Sequence, residues 1–111
     1  MAATHARSKE SLFDETAALF KALSHPLRLR LVCGLLKEPT TLTRISKALD
    51  IPPSSLAQHL SVLRNEGIVE GKRENGAEVI LSVVDQRAVR IFKLLCPGFE
   101  SREAEWDCSI R

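Results

Sequence analysis

Between Ile51 and Val69 the chain reads IPPSSLAQHLSVLRNEGIV, and that run leaves little freedom in how it can fold. Pro53 suits the first turn of a helix, where its missing N–H is no loss. Leu56, Leu60 and Leu63 recur at helical spacing, so one face must be buried, and Gly67 ends the helix. The opposite face carries Ser54, Ser55, Gln58, His59, Ser61 and Arg64. These are short or forked hydrogen-bonding groups, not the Glu/Lys mixture of an idle solvated helix. Such a face suits base edges in a groove and phosphates, with Gln58 the natural adenine reader and Arg64 a phosphate clamp.

The segments on either side have their own periodicity. From Glu10 to Leu23, Phe13, Ala17, Phe20 and Leu23 fall on one helical stripe. Ser24 is placed to cap a second helix over 25–37, with Pro26 in its first turn and Leu27, Leu31 and Leu35 in line. Thr41 to Leu49 predicts a short helix with Leu42, Ile45 and Leu49 inward. Asp50-Ile51-Pro52 then turns the chain into the helix above, giving two helices joined by a tight turn. After Gly67, Ile68–Arg73 alternates towards Glu74-Asn75-Gly76, a strong hairpin signal, and Val79, Leu81 and Val83 share one face of the returning strand. The hairpin tip offers Lys72, Arg73 and Asn75 to phosphate or to the minor groove, diluted by Glu74 and Glu78. Asp85 caps a last helix whose Val89, Phe92 and Cys96 follow helical spacing, with Ile91 and Leu95 beside them. Pro97-Gly98 stops it.

A chain of 111 residues makes one domain, 1–111, here with an N-terminal arm over 1–9 and a polar tail over 99–111. At this size it buries only about two thirds of its unfolded surface, which favours a partner subunit. The net charge of +2 is too mild for a general nucleic-acid coat, so the placement of the 16 Lys and Arg residues matters more than their sum. No long apolar run and no signal-peptide core occur, which points to the cytoplasm. The three cysteines do not suggest a structural disulfide framework in such a compartment.

SSLAQHLSVLRNEGIV followed by KRENGAEVILSV resembles the recognition helix and β-wing of the ArsR/SmtB family of bacterial winged-helix repressors, and SHPLRLRLV upstream matches that family too. The resemblance runs from about Leu19 to Cys96. It implies a mainly α fold with a β-hairpin wing (α+β), a winged helix-turn-helix that forms a homodimer through its first and last helices. It also implies a repressor that binds double-stranded operator DNA and leaves it when an effector binds. DNA contact then falls to Ser54, Ser55, Gln58, His59, Arg64, Arg73 and Asn75. Pro52-Pro53 and Ala57 depart from the polar groups many relatives carry there, shifting contacts towards Ser54, Ser55, Gln58 and His59.

Two metal sites common in the family do not fit this chain. The stretch matching a cysteine pair near the third helix is Glu38-Pro39-Thr40-Thr41-Leu42-Thr43, and the stretch matching an Asp-x-His pair is Asp85-Gln86-Arg87, with no histidine after His59. No cofactor is expected. What remains is thiols. Cys33 in RLVCGLL and Cys96 in KLLCPGF are similar in position to the cysteines of a subgroup that senses reactive sulfur or oxidants. The resemblance therefore implies that a persulfide, polysulfide or oxidant links Cys33 to Cys96. Two other readings stand beside it: both thiols are small core hydrophobes, or Cys96 and Cys108 with a further thiol hold arsenite or a soft metal.

Other classes find little support. There is no Gly-rich phosphate loop, nucleophile elbow or tyrosine, so an enzyme is not expected. A protein-pairing scaffold is opposed by the polar and basic groups of the fourth helix.

Overall fold

The computed structural model describes residues 9–73 and 75–95, without the side chain of Lys9. In chain order the elements are α1 (Lys9–Leu23), α2 (Pro26–Lys37), β1 (Thr40–Thr41), α3 (Leu42–Leu49), α4 (Pro53–Asn65), β2 (Val69–Arg73), β3 (Val79–Val83) and α5 (Gln86–Leu95). Lys9, assigned to an arm by sequence, is the first residue of α1; the rest of that arm and the 99–111 tail lie outside the described residues.

Each boundary has a local cause. α2 opens on Pro26, but its cap is His25, not Ser24: the imidazole Nδ1 accepts from the Leu27 N–H at 3.0 Å. Thr41, expected inside the third helix, caps it instead, its hydroxyl accepting from the Arg44 N–H at 3.2 Å. α3 ends at Asp50 in the left-handed region (φ 57), a conformation Asp tolerates better than most residues. The turn is closed by Ile51 N–H on Ser46 O (3.2 Å) and Ser46 Oγ on Ile51 O (2.7 Å). α4 ends in a paired motif: Ile68 N–H donates to Leu63 O (2.9 Å) and Gly67 N–H to Arg64 O (3.0 Å), with Gly67 at φ 81. Only a residue without Cβ adopts that φ freely.

The hairpin forms as its sequence predicts, with Asn75 and Gly76 both at positive φ and Arg73 opposite Val79. What periodicity did not show is a third strand. Thr40 and Thr41 pair antiparallel with Leu81 and Ile80, so the sheet order is β1-β3-β2. Two residues are too few for any alternation to register.

The core gathers around α2. Leu31, Val32, Cys33 and Leu35 are buried with Leu19 and Leu23 of α1, Ile45 of α3, Leu56, Leu60 and Leu63 of α4, Leu81 of β3 and Phe92 of α5. The stripe predicted on α1 lies mostly outside this core. Of Phe13, Ala17, Phe20 and Leu23 only Leu23 is buried, while Phe13 and Phe20 are 67% and 55% exposed. α1 turns Leu19, Ala22 and Leu23 inward. On α5, likewise, Ala88 and Phe92 face the core and Leu95 is exposed. Among the described residues no helix is long and apolar enough to cross a membrane.

Leu63 is fully buried where α4 meets the core. Leu63→Ala should lower stability by about 2–5 kcal/mol in denaturant unfolding; a loss below about 1 kcal/mol would mean that this seam does not hold α4.

Candidate nucleic-acid interface and thiol site

With Leu56, Leu60 and Leu63 buried, the rotation of α4 is fixed, and Ser54, Ser55, Gln58, Ser61 and Arg64 stand exposed. The Arg64 guanidinium lies over β2, its Cζ 3.7 Å from where a Cβ on Gly71 would sit. That same Cβ would stand 2.7 Å from Val79 Cγ1 of β3, so glycine at position 71 leaves the Val79 side chain its place in the hairpin.

Between α3, α4 and the sheet lies an open cleft of about 470 Å³ whose walls include Thr43, Ser61, Arg64, Arg73 and Glu78. Arg73 donates from Nη1 to Ala77 O at 3.0 Å across the hairpin end. Thr43 Oγ1 donates to Glu78 Oε2 at 2.7 Å, tying the wing to the start of α3. Two guanidinium groups against one carboxylate leave the cleft net positive, which suits an anionic oxygen of a phosphate backbone. The structure thus brings Arg64 and Arg73 to one cleft beside the exposed row of α4, with Asn75 exposed in the hairpin turn.

His59 is placed differently. It is half-buried, its ring centroid 4.4 Å from that of His25 with the planes tilted by 48°. Its Nδ1 lies 3.3 Å from Arg28 Nη1, and Arg28 in turn donates from Nε to Ala22 O (2.6 Å) and from Nη2 to Lys21 O (3.4 Å). Burial first, then the neighbouring His25 and Arg28, push the His59 imidazole below the ordinary histidine range. Sequence reasoning did not pair His59 with His25 and Arg28, or Thr43 with Glu78. Their partners lie several residues to several elements away, where no periodic pattern can point.

Cys33 is buried on α2 and is disulfide-bonded. Cys96 and Cys108, the other cysteines of the chain, lie outside the described residues. Among the described residues no three His, Cys, Asp or Glu side chains gather as a metal-holding group. The helix leading towards Cys96 is anchored at its start. Asp85 Oδ1 accepts from the Arg87 N–H (2.8 Å), and its carboxylate pairs with the Arg87 guanidinium at 2.7 Å. The Arg87 side chain holds the Asp85 carboxyl below the usual carboxylate range, against an opposing contribution from burial.

Residues 25–71 match the model of the bacterial regulatory protein, arsR family. The chain is 33% identical over 96 residues to the biofilm growth-associated repressor of Xylella fastidiosa, covering 86% of this chain and 83% of that protein. Its fold is similar to that of reduced HlyU from Vibrio cholerae (TM-score 0.72, 28% identity, 78% and 90% of the two chains). It is similar as well to a homodimeric winged helix-turn-helix DNA-binding domain from Mycobacterium bovis (TM-score 0.71, 25% identity, 78% and 80%).

Loss of the α5 cap in Asp85→Ala should cost about 0.5–2 kcal/mol at neutral pH. Because the folded-state value of Asp85 is lowered, its contribution is complete above the ordinary carboxylate value and disappears as pH falls through the lower one. Unfolding curves of the two proteins should therefore converge in acid, and a gap that persists there would remove the carboxylate as its source.

Proposed function

The chain belongs to the ArsR family of bacterial regulatory proteins, and from that premise we propose that it is a cytoplasmic transcriptional repressor that binds operator DNA as a homodimer and releases it when Cys33 and Cys96 become linked. DNA reading by Ser54, Ser55, Gln58 and Arg64, with Arg73 and Asn75 from the wing, is supported by their exposure and by the net-positive cleft between α4 and the hairpin. The homodimer is supported by exposed Leu12, Phe13 and Phe20 on α1 and Leu94 and Leu95 on α5, apolar surface of the kind that marks an interface. The homodimeric Mycobacterium bovis relative agrees with it.

The observation that carries the sensing half is the disulfide at Cys33, a buried residue at the centre of the helix around which the core is built. A thiolate of the pair attacks a polysulfide sulfur, giving a protein persulfide and a shortened polysulfide anion. The second thiolate then attacks the protein-bound sulfur of that persulfide and expels hydrosulfide, leaving a disulfide. A covalent tie at mid-α2 favours one of two arrangements of the helices around it, and the DNA-reading face moves with them.

Two experiments test the reading. Reduced protein is treated anaerobically with inorganic polysulfide, in parallel with peroxide and arsenite, then followed by peptide mass spectrometry and DNA binding. A Cys33–Cys96 link that releases DNA is expected; unmodified thiols with tight arsenite binding dependent on Cys108 would replace sulfur sensing by metalloid sensing. On DNA, Gln58→Ala should relax sequence preference, a bidentate base contact being worth about 1–3 kcal/mol of discrimination. Arg64→Ala should weaken specific and random duplexes alike. Equal losses on both duplexes from Gln58→Ala would exclude Gln58 as a base reader.

A further inference from the structure

The contact between His25, Arg28 and His59 joins three helices, and its hydrogen bonds fix the protonation of both rings. A guanidinium carries donors only, so the His59 Nδ1 lying 3.3 Å from Arg28 Nη1 must be the acceptor. The Leu27 N–H is likewise a donor, so the His25 Nδ1 that receives it at 3.0 Å is also unprotonated. Each contact thus uses the Nδ1 of its imidazole as an acceptor, the role that leaves a ring proton to Nε2. The rings are 4.4 Å apart, with a permanent cation against one of them.

A proton added to either ring turns an acceptor into a donor that faces another donor. At His25 it removes the cap of α2; at His59 it breaks the link to Arg28 and places a second positive charge beside the guanidinium. Among the described residues, the charged or titratable groups set against His59 are His25, the cap of α2, and Arg28 in its first turn. α1 enters through the carbonyls of Lys21 and Ala22, which accept from Arg28. The same arginine thus ties the end of α1 to the middle of α4.

We propose that His25, Arg28 and His59 form a proton-sensitive joint, with Arg28 and His59 as positioning residues that tie α4 to the end of α1 and the start of α2, and that mild acid opens the joint and weakens DNA binding. This rests on the DNA-binding reading above but is independent of the cysteines. The direction is not the one charge alone would give, since a protonated histidine on a DNA-reading helix adds attraction to phosphate. The sign for stability agrees with opening. The folded state lowers the His59 value, so its contribution is complete above the ordinary histidine value and is lost as pH falls through that value towards the lower one.

The test uses a duplex selected by the full-length protein from a random-sequence pool at about pH 7.5, with the readout the ratio of Kd at about pH 5.5 to Kd at about pH 7.5 within each protein. Wild type should weaken about tenfold or more, the scale of one lost hydrogen bond to a charged group. In H25N/H59N, whose amide oxygens stand where the two Nδ1 atoms accept and do not titrate, the ratio should fall towards one. Equal ratios in the two proteins, or wild-type binding that strengthens in acid, would overturn the joint. If no duplex is selected at neutral pH, the DNA-binding reading fails by itself and the joint is judged by NMR. The amides of Leu27 and of residues 56–60 should then shift with the histidine rings, and amides that stay still through the ring titration would overturn it.

Discussion

Burial of the α4 leucines is the constraint on which the rest of this structure depends. With Leu56 and Leu63 fully inaccessible and Leu60 nearly so, α4 has one rotation about its axis. That rotation decides which groups meet solvent. A turn of one residue, about 100°, would bury polar groups without partners, which is costly, and would expose the leucines. The exposed row from Ser54 to Arg64 is therefore a product of hydrophobic packing as much as of its own polarity.

α2 is the second organiser. Its middle supplies Leu31, Val32, Cys33 and Leu35 to the core, and its first turn carries the His25 cap and Arg28. A covalent bond at Cys33 and a hydrogen-bonded cluster one to two turns earlier thus act on one rigid rod. Helices transmit displacement well because their interior hydrogen bonds resist local bending. Chemistry at a buried thiol and chemistry at a half-exposed imidazole thereby share a route to the same DNA-facing helix. α1 joins that route through Arg28, while its Phe13 and Phe20 face outwards.

Much of the fold was legible because its signals are local. Pro26, Pro53 and Gly67 mark helix ends through φ and a missing N–H. Asn75-Gly76 makes its turn because both residues accept positive φ. The errors share a different origin. Ser24 and His25 both carry a potential cap acceptor, and only the backbone path decides which of them reaches the Leu27 N–H. α1 carries apolar groups around more of its circumference than one protomer's core can cover, so the stripe that periodicity shows meets the core only at Leu23. β1 exists because β3 lies beside it, and its two threonines have no periodic signature.

The sequence by itself determined the helix-turn-helix, the hairpin, the chemical character of the α4 face and the family to which the chain belongs, since each rests on residue type and short-range spacing. Tertiary structure decided the remainder. It took His59 from the row of groups facing solvent and set it against His25 and Arg28. It brought Arg64 of α4 and Arg73 of the wing to one cleft, and it buried Cys33 at mid-core. Those outcomes depend on distances between residues far apart along the chain, and such distances are set by how whole helices pack, not by any segment's own preference.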